Sequence, residues 1–489
     1  MITRFWTDSL GARHSKTLVE RDEAWHQKTS PGRPQGYIEA SAQSSDEAVA
    51  VARFGPANTD GSGAYKARGL SDGNYGPVVV KKGYMRLKPG TFSPGVDWVG
   101  PFKVERDPNV YAVANAQEAE GAHQKAKKAL VLRGNARIPM ERNNLLLPHN
   151  QNFKGLRVDG DPTPDREPHI TGIWAGGWSN VNLTGLVLHT GQNQQTVTID
   201  KETRNVGLYG NRILPTGGGN HIAVAVRYAV DFKFHQNYIG GSHRGIQMNG
   251  SLGSLEIVGN HITHMEEDFI DLIGHTDNTP TLIAGNHLTF PEVGNGHPDF
   301  LQLLYGGGGL GIKVLCNTID FGPSKGAAQG FFINTPAGPD VKGVDTLVEG
   351  NVIRHRCIRT INVAMSRGAK VRYNTLIPMA QPGRRNRLPS PEAALGLVEV
   401  GTAKNGRGTE CHHNIAGTVN SPVGKNNGIY GTMSEAQFMN GLPYANFPEN
   451  RLLTRSEMLL AAQTNPNGPF AGMGAAAVAS KYPEYWKAG

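Results

Sequence analysis

An asparagine ends one short apolar run after another through the middle of the chain. Consecutive members lie 23 to 34 residues apart, and the second residue after each is Ile or Leu. The series is Asn211, Asn237, Asn260, Asn286, Asn317, Asn351 and Asn374, and we expect Asn182 to be an earlier member and Asn414 a later one. Unequal repeats of this length are typical of a solenoid whose coils differ only in the length of their loops.

The residues around these asparagines indicate strands and corners. The apolar runs are short and rich in β-branched residues and leucine, whereas a helical repeat needs runs of about ten or more residues with 3.6-residue periodicity. Asn adopts the left-handed backbone conformation more readily than most residues, so we expect it at a sharp corner. Stacked asparagine amides can also hydrogen-bond from coil to coil, which satisfies buried polar groups. The series therefore predicts a β-solenoid with an asparagine ladder.

Changes in pattern along the chain predict four segments. Residues 1–45 are polar and irregular, as in an arm that docks on another protein, and residues 46–129 indicate a small β-rich domain with one helix over Asn115–Ala129. The solenoid is predicted over 130–431 and a terminal cap over 432–489, because an open solenoid end has to be covered. Two short helices are expected in the cap, Ser434–Met439 and Thr454–Gln463, the second with Thr454 or Ser456 as its N-cap.

Composition constrains the function only weakly. The net charge of +8 would suit an acidic polymer, but the charge is spread along the chain, which favours a mildly basic surface without a ligand. No nucleic-acid-binding signature accompanies it. The start of the chain has no apolar signal segment and no run reaches 18 apolar residues, so we expect neither a secretion signal nor membrane insertion. A β-solenoid without a secretion signal is a first indication of a virion component rather than of a secreted bacterial enzyme.

The cysteines do not predict a metal or disulfide site. Cys316, Cys357 and Cys411 are odd in number and far apart, which argues against a disulfide scaffold, and Cys316 is expected to be a small core residue. The triplet Cys411–His413 lacks a second pair of ligands at a suitable spacing, so no metal site is predicted there.

A second strand in each coil places polar residues in columns. The strands GIQMNG, FIDLIG, FLQLLY, GFFINT and INVAMS align by eye. One predicted column is Arg244, Asp268, Asp299, Gln329 and Thr360, and the other is Gln247, Asp271, Gln302, Phe332 and Val363. Neighbouring parallel strands are about 4.8 Å apart, so side chains within one column should touch.

These columns contain the candidate site. The candidate catalytic residues are Asp268, Asp299, Asp271, Glu267 and His297, and the candidate substrate-binding residues are Arg244, Gln302, Gln329 and His275. Carboxylates one coil apart repel each other, so one should keep a proton or a cation such as Ca²⁺ should bind between them. Their spacing would fit the carboxyl pair of a glycosidase. The alternative is a solvated acidic face, or carboxylates that cap turns.

Two further groups extend this interpretation to other chemistry. A lyase would need cations against a uronate, for which Arg354, Arg356, Arg359 and Lys325 are available, although a structural role for the arginines is favoured. Trp174 and Trp178 could stack on sugars if they are exposed, and core packing is the alternative.

The N-x-[IL] corners, the xGIxL strands and the uneven loops over about residues 130–430 resemble the right-handed parallel β-helix superfamily. That superfamily includes pectate lyases, polygalacturonases, alginate lyases, mannuronan epimerases and bacteriophage tailspikes. The stretches His297–Gln302 and Ala328–Ile333 are similar to a pattern in uncharacterised β-helix proteins of bacteria and their phages, from which no catalytic role is carried over. The resemblance implies an all-β, single-stranded, right-handed parallel β-helix with a small amino-terminal β-rich domain and a short helical carboxyl-terminal segment.

For function, the resemblance implies a tailspike or tail-associated receptor-binding protein, homotrimeric and located in the virion tail. Its partners would be a host cell-surface polysaccharide, which it recognises and could depolymerise, and other tail proteins bound through the arm. One alternative is an extracellular, monomeric polysaccharide lyase or glycoside hydrolase that acts on acidic polysaccharide. Another is an inert structural component of the virion. No cofactor is expected apart from the Ca²⁺ considered above.

Overall fold

The computed structural model of the protein describes residues 2–7, 13–18, 37–43, 49–54, 73–81, 84–87, 97–104, 110–133, 136–139, 146–161, 168–190, 195–215, 221–251, 253–273, 280–291, 299–304, 311–323, 329–334, 346–355, 359–364, 368–379, 397–400, 409–443 and 451–487. The chain divides into two compact units. The first comprises Met1–Arg137 with Leu156–Pro168, and the second comprises Ile138–Gly155 with His169–Gly489. None of the helices in this described part of the chain combines the length and apolarity needed to span a membrane.

The first unit is rich in strands. An antiparallel pair is formed by Ile2–Thr7 and Arg13–Leu18, and a five-stranded sheet has the order Val49–Phe54, Tyr37–Gln43, Tyr84–Leu87, Gly73–Lys81 and Asp97–Val104. The strand Ala129–Arg133 pairs in parallel with Val110–Val113 on one side and with residues of the strand Asn152–Asp161 on the other.

The helix predicted over Asn115–Ala129 is two short helices. They are Ala116–Ala119 and Ala122–Lys125, and Asn115 caps the first by accepting a hydrogen bond from the backbone N–H of Glu118 at 2.9 Å. Gly121 separates them because its φ of 65° lies in the left-handed region, which ends a helix.

The second unit is a parallel β-helix. Each coil passes in turn through three sheets, and all of the described strand pairings in this unit are parallel. We call the sheet that precedes the asparagine ladder sheet 1, the sheet that follows it sheet 2, and the remaining one sheet 3. The prediction of an all-β parallel β-helix is therefore confirmed.

The described strands of sheet 1 are Ser179–Thr184, Arg204–Tyr209, the second half of Ile222–His235, Leu255–Val258, Thr281–Ala284, Ile312–Leu315, Leu347–Glu349, Lys370–Arg372, Glu410–His412 and Gly424–Lys425. Those of sheet 2 are Arg137–Pro139, His169–Thr171, Val187–His189, Arg212–Leu214, Tyr238–Ser242, His261–Met265, His287–Pro291, Thr318–Asp320, Val352–His355, Thr375–Pro378, Ile415–Ala416 and Gly428–Ile429. Those of sheet 3 are Ile173–Ala175, Gln195–Ile199, the first half of Ile222–His235, Arg244–Ser251, Ile270–Ile273, Asp299–Leu304, Gln329–Asn334, Arg359–Ala364, Leu397–Val400 and Thr418–Asn420.

The asparagine ladder is present and buried at the corner between sheets 1 and 2. Among the described residues it consists of Asn211, Asn237, Asn260, Asn286, Asn317, Asn351, Asn374, Asn414 and Asn427. From Asn237 onward, each Oδ1 accepts from the backbone N–H and the Nδ2 of the asparagine one coil earlier, and each Nδ2 in the ladder also donates to a backbone carbonyl. The coil-to-coil hydrogen bonding predicted from the sequence is thus confirmed.

Two details of the ladder differ from the prediction. Asn182 is not a member, because it lies inside a strand opposite Gly207, and Leu186 occupies the ladder position and donates its N–H to Asn211 Oδ1 at 3.0 Å. Asn427 is an additional member. It follows Asn414 after only 13 residues, an interval shorter than the repeat recognised in the sequence.

The left-handed corner residue is the one before each asparagine and not the asparagine itself. These preceding residues have φ between 50° and 72°, and they are Gly210, Gln236, Gly259, Gly285, Cys316, Gly350, Tyr373, His413 and Asn426. The expectation that Asn is present for its backbone tolerance is therefore wrong at this corner. Its role is the hydrogen-bonded ladder, and the turn is made one residue earlier, where glycine avoids the Cβ clash.

The carboxyl-terminal segment consists of short helices that pack against the side of the coils. They are the 3₁₀ helices Tyr430–Thr432 and Ala475–Lys481 and the α-helices Glu435–Gly441, Arg455–Ala461 and Pro483–Lys487. Thr454 is confirmed as an N-cap, in a reciprocal capping box with Glu457. Leu453 and Met458 join Val352 and Ile377 in one buried apolar cluster.

A buried ion pair fastens this segment to sheet 2. Arg354 Nε lies 2.8 Å from Asp320 Oδ1, and both side chains are buried. The second carboxylate oxygen of Asp320 accepts from the backbone N–H of Leu453 at 2.6 Å, and Arg354 Nη2 donates to the carbonyl of Arg451 at 2.8 Å. The side chains of Asp320 and Arg354 therefore bind the backbone of the carboxyl-terminal segment directly.

Candidate carboxylate site on sheet 3

The strand register of sheet 3 brings together the polar columns predicted from the sequence. Gln247 is paired with Asp271, and Asp271 with Gln302. One coil further, Asp299 is paired with Gln329. These pairs lie on adjacent parallel strands, so their side chains are neighbours on one face of the sheet.

The predicted alignment is displaced by one residue in the coil of Arg359–Ala364. Phe332 is paired with Asn362, whereas Val363 is paired with Ile333 and is buried in the core. The same register places Thr360 outside the Asp299 column. A shift of one residue exchanges the two faces of a strand, and the apolar run alone did not show which of its residues point inward.

Phenylalanine packing in the core holds the acidic residues in place. Phe269 and Phe300 directly follow Asp268 and Asp299 in the chain, and both rings are fully buried. The two rings stack one coil apart with a centroid distance of 4.3 Å, and Phe300 also contacts Phe321 at 5.1 Å. Because each ring is anchored inward, the preceding aspartate is held at the start of its strand.

Asp299 is 0% exposed, and its two carboxyl oxygens have different surroundings. Oδ2 accepts a hydrogen bond from Gln302 Nε2 at 3.0 Å, whereas Oδ1 is buried without a hydrogen-bond partner among the described residues. The backbone N–H of Asp299 donates to Asp268 Oδ1 at 2.9 Å. Burial, followed by the nearby charge of Asp268, raises the pKa of Asp299 to about 7.

Asp271 repeats this arrangement one coil earlier. It is 1% exposed, its Oδ2 accepts from Gln247 Nε2 at 3.2 Å, and its Oδ1 has no hydrogen-bond partner within the described part of the chain. Burial raises the pKa of Asp271 to about 6, and the charges of Asp268 and Glu267 act in the same direction. The hydrogen bond from Gln247 and the charge of Arg244 oppose the rise.

Two carboxyls with raised pKa values can perform acid–base chemistry near neutral pH. In each, a glutamine amide holds one oxygen, so the proton of the neutral form belongs on Oδ1, the oxygen without a partner. An acid whose pKa lies close to the working pH is suited to general acid catalysis. The site therefore contains two groups that can each donate or accept a proton.

Arg244 and Glu267 are engaged with each other. Arg244 donates from Nε and Nη2 to Glu267 Oε2, and His243 lies 3.3 Å from Glu267 Oε1 and 3.2 Å from Glu266 Oε2. The Arg244 guanidinium is thus already bound to a carboxylate beside the aspartates.

Several residues named in the sequence prediction fall outside the part of the chain that the structure describes. They are His275, His297, Lys325 and Arg356, and for Arg359 only the strand is described. Arg354 belongs to the buried pair with Asp320 on sheet 2, so it does not supply a cation to the aspartates.

The two tryptophans have different environments. Trp178 is 0% exposed and belongs to the core, whereas Trp174 is 38% exposed. Trp174 lies in the same column of sheet 3 as Asp271, through the register pairs Trp174–Thr198, Thr198–Ala225, Ala225–Gln247 and Gln247–Asp271. Four strand steps of about 4.8 Å put it about 19 Å from Asp271 along the sheet. Trp174 Nε1 donates to Asp200 Oδ2 at 3.3 Å.

The column also continues beyond the predicted residues. Asn362 Nδ2 donates to Glu399 Oε2 at 3.2 Å, and Asn420 Nδ2 donates to Glu399 Oε1 at 3.4 Å. The register pairs Asn362 with Glu399 and Glu399 with Asn420. Glu399 is the one polar residue in the apolar run Leu397–Val400, and this pattern could have indicated that it belongs to the column. Because the loops differ in length, its alignment with Asn362 did not follow from the sequence.

Metal ligands are not grouped in the described part of the chain. It contains no cluster of three or more His, Cys, Asp or Glu side chains that could hold an ion. Cys411 is buried, whereas His412 contacts His413 at 2.7 Å between the two Nδ1 atoms and lies 3.4 Å from Glu410.

Comparisons with known proteins add no relative to this description. No family model matches the chain, and neither the search of curated proteins nor that of solved structures finds a significant match. The fold and the geometry of sheet 3 are accordingly the basis for an assignment of function.

Proposed function

We propose that the protein recognises a polysaccharide on the outer face of sheet 3 and hydrolyses its glycosidic bonds. The observation that carries the proposal is the pair Asp271 and Asp299. Both are buried, both have a raised pKa, and both have one carboxyl oxygen without a partner among the described residues. Glycoside hydrolysis uses two carboxyl groups, one of which must be protonated when the substrate binds.

In this proposal Asp299 is the general acid, because its pKa is the higher of the two. It would protonate the oxygen of the leaving sugar from Oδ1. Asp271 would act as the second carboxyl, either as a nucleophile or as the base that activates water, and the stereochemistry of the product distinguishes these roles. Gln302 and Gln247 are positioning residues, since each donates a hydrogen bond to one of the two acids.

Among the described residues, the charges near the aspartates favour hydrolysis over a lyase reaction. A lyase has to neutralise a uronate carboxylate before a base removes the neighbouring proton. Arg244 lies beside the site but is bound to Glu267, and Arg354 is buried on sheet 2 with Asp320. An acid with a pKa of about 7 is instead suited to leaving-group protonation.

The test is a depolymerisation assay with two variants. Asp299→Asn and Asp271→Asn should each lower the rate at which reducing ends appear by about 100-fold or more, since loss of an acid or base costs a factor of this order. Glu256→Gln, on sheet 1, is the matched control and should retain activity. Hydrolysis produces no absorbance from unsaturated uronates. Full activity in both aspartate variants, or the appearance of that absorbance, would contradict the proposal.

The proposed setting is a phage tail, as in a tailspike. There the amino-terminal unit would join the tail and the β-helix would face the glycan of the host surface. The division into two compact units, with all described residues of the candidate site in the second, supports this arrangement. Sedimentation should give a mass three times 52.6 kDa for a tailspike-like homotrimer, whereas a monomer would favour a free enzyme.

A further inference from the structure

We propose that the sugars in contact with the carboxylate site are uncharged and that the site rejects uronates. This inference rests on the proposed function and specifies the class of polysaccharide that the same site accepts. Three features of the described residues support it: the balance of charge, the hydrogen-bonding character of the two carboxyl oxygens without a partner, and the position of Trp174.

The described residues on this face carry a net negative charge. Asp268, Asp271 and Asp299 lie together, and Glu399 follows in the same column as Asp271. Arg244 is the nearest described cation, and its charge is matched by Glu267. A uronate carboxylate placed here would face carboxylates across a buried, poorly screened environment, where like charges repel strongly.

Arg227 does not change this balance at the aspartates. It is exposed at the end of its part of sheet 3, opposite Asn249. Asn249 lies two residues beyond Gln247, and Gln247 is paired with Asp271. Arg227 is therefore displaced from Asp271 by two residues along the strand and by two coils. Its exposed charge is screened by water and salt.

The hydrogen-bonding groups of the site call for a donor from the substrate. The buried Oδ1 atoms of Asp271 and Asp299 have no partner among the described residues. The proton on Asp299 Oδ1 is given to the leaving sugar, whereas the ionised Asp271 Oδ1 can only accept a hydrogen bond. Gln247 and Gln302 each commit an amide hydrogen to these acids. A sugar hydroxyl can donate to Asp271 Oδ1, whereas the ionised carboxylate of a uronate presents only acceptors at that position.

An amino sugar fits the reaction less well than a neutral one. An ammonium group beside Asp299 would stabilise the ionised carboxylate and lower the pKa of the residue that acts as the acid. A hydroxyl-bearing sugar satisfies the open oxygen without introducing a charge. Asp271 and Asp299 therefore disfavour both amino sugars and uronates at the cleaved bond, and they disfavour uronates more strongly.

Trp174 provides an aromatic surface on the same face. Its half-exposed ring lies in the Asp271 column about 19 Å away, counted as four strand steps. An indole ring packs its face against an apolar surface, and the C–H face of an uncharged pyranose offers one. A chain that reaches both places would contact several coils, so long oligosaccharides should bind better than short ones.

The experiment compares polymers that differ in charge on one backbone. Highly methyl-esterified pectin and polygalacturonate form one such pair, and dextran, mannan, alginate and chitosan complete the panel. Binding is measured by affinity electrophoresis and cleavage by reducing ends, from pH 5 to pH 8. We expect a neutral polymer to be bound and cleaved. Its uronate counterpart should be bound at least ten-fold more weakly and cleaved at least ten-fold more slowly. The double variant Asp271→Asn with Asp299→Asn should reduce that discrimination in binding, and Trp174→Ala should weaken binding of the neutral polymer.

The outcomes separate the two proposals. Cleavage of alginate or polygalacturonate in preference to every neutral polymer, by hydrolysis, would overturn the neutral-sugar inference and leave the proposed hydrolase intact. Preference for chitosan would overturn it in the same way. If no polymer of the panel is bound or cleaved, both the inference and the proposed function are contradicted.

Discussion

Asn317 Oδ1 accepts two hydrogen bonds from Asn286, one from its backbone N–H at 3.0 Å and one from its Nδ2 at 2.9 Å. Asn286 Nδ2 also donates to the carbonyl of Ile257 at 2.9 Å, and its own Oδ1 accepts in the same way from Asn260. The ladder amides from Asn211 to Asn414 thus satisfy groups in more than one coil, although they are buried. Asparagine is the residue that provides both functions at this length of side chain.

Asn286→Ala should destabilise the β-helix by about 3 kcal/mol or more, because it leaves several buried donors and acceptors without partners. The midpoint of urea unfolding measures this change. Asn420→Ala is the matched control, since Asn420 is exposed and its amide donates a single hydrogen bond to Glu399 Oε1 at 3.4 Å. The control should lose less than about 1 kcal/mol. Equal losses of unfolding free energy in the two variants would show that burial does not determine how much the ladder hydrogen bonds stabilise the protein.

Gly285→Ala should be more harmful than Gly241→Ala. Both glycines have positive φ, 62° and 70°, so both substitutions introduce backbone strain of about 1–2 kcal/mol. A Cβ at Gly285 would also lie 2.8 Å from the backbone oxygen of Tyr485, whereas a Cβ at Gly241 meets nothing within 4 Å. Only Gly285→Ala should speed trypsin cleavage within the carboxyl-terminal segment. Equal proteolysis of the two variants would contradict this contact.

Asp320→Ala should destabilise the protein by about 3–5 kcal/mol, because it leaves the buried Arg354 guanidinium without its carboxylate. The variant also loses the hydrogen bond to the backbone N–H of Leu453, so the segment after it should become more accessible to proteases. Lys233→Ala removes a partly exposed pair with Glu256 and serves as the control, with an effect within about 1 kcal/mol. A similar thermal shift for both would refute the anchoring role of Asp320.

Asp299→Asn should stabilise the protein at high pH. The pKa of Asp299 is raised from 3.8 to about 7, so between these values the folded state keeps a proton that the unfolded chain has lost. The proton on folded Asp299 stabilises the protein fully below a pH of 3.8, and this stabilisation is lost as the pH rises from there through about 7. The variant should therefore melt like the wild type at pH 4 and be more stable at pH 8, by up to about 4 kcal/mol. A variant that is less stable at pH 8 would show that Asp299 is held as a carboxylate.

Asp271→Asn should show the same trend with a smaller amplitude, because the pKa of Asp271 is raised only to about 6. Thermal melting from pH 4 to pH 8 measures it alongside Asp299→Asn. A larger effect for Asp271 than for Asp299 would reverse the proposed order of the two acids.

The repeat was visible in the sequence because the ladder needs the same residue in each coil. Asn182 was assigned wrongly because an asparagine near the expected interval looks the same whether it enters the ladder or lies within a strand opposite Gly207. The left-handed position was also displaced, since glycine precedes only some of the asparagines and Cys316 and Tyr373 occupy it elsewhere. These residues have no sequence signature for that conformation, and the surrounding hydrogen bonds impose it.

The site was predictable in part. The columns of Gln247, Asp271 and Gln302 followed from aligning apolar runs, since inward residues in neighbouring coils have to face the same core. The engagement of Arg244 by Glu267 and the burial of Arg354 under the carboxyl-terminal segment were not predictable. Both depend on contacts between residues that are far apart in the chain.

The sequence alone determined the parallel β-helix, because a repeated asparagine between short apolar strands is compatible with few other folds. It also determined which acids would be neighbours, since coil spacing and strand alternation are local rules. Only the tertiary structure decided which face Trp174 and Trp178 occupy, which cations are already paired, and that Asp271 and Asp299 are buried. Burial and pairing arise from packing between coils of unequal length, and they convert ordinary carboxylates into groups with raised pKa values.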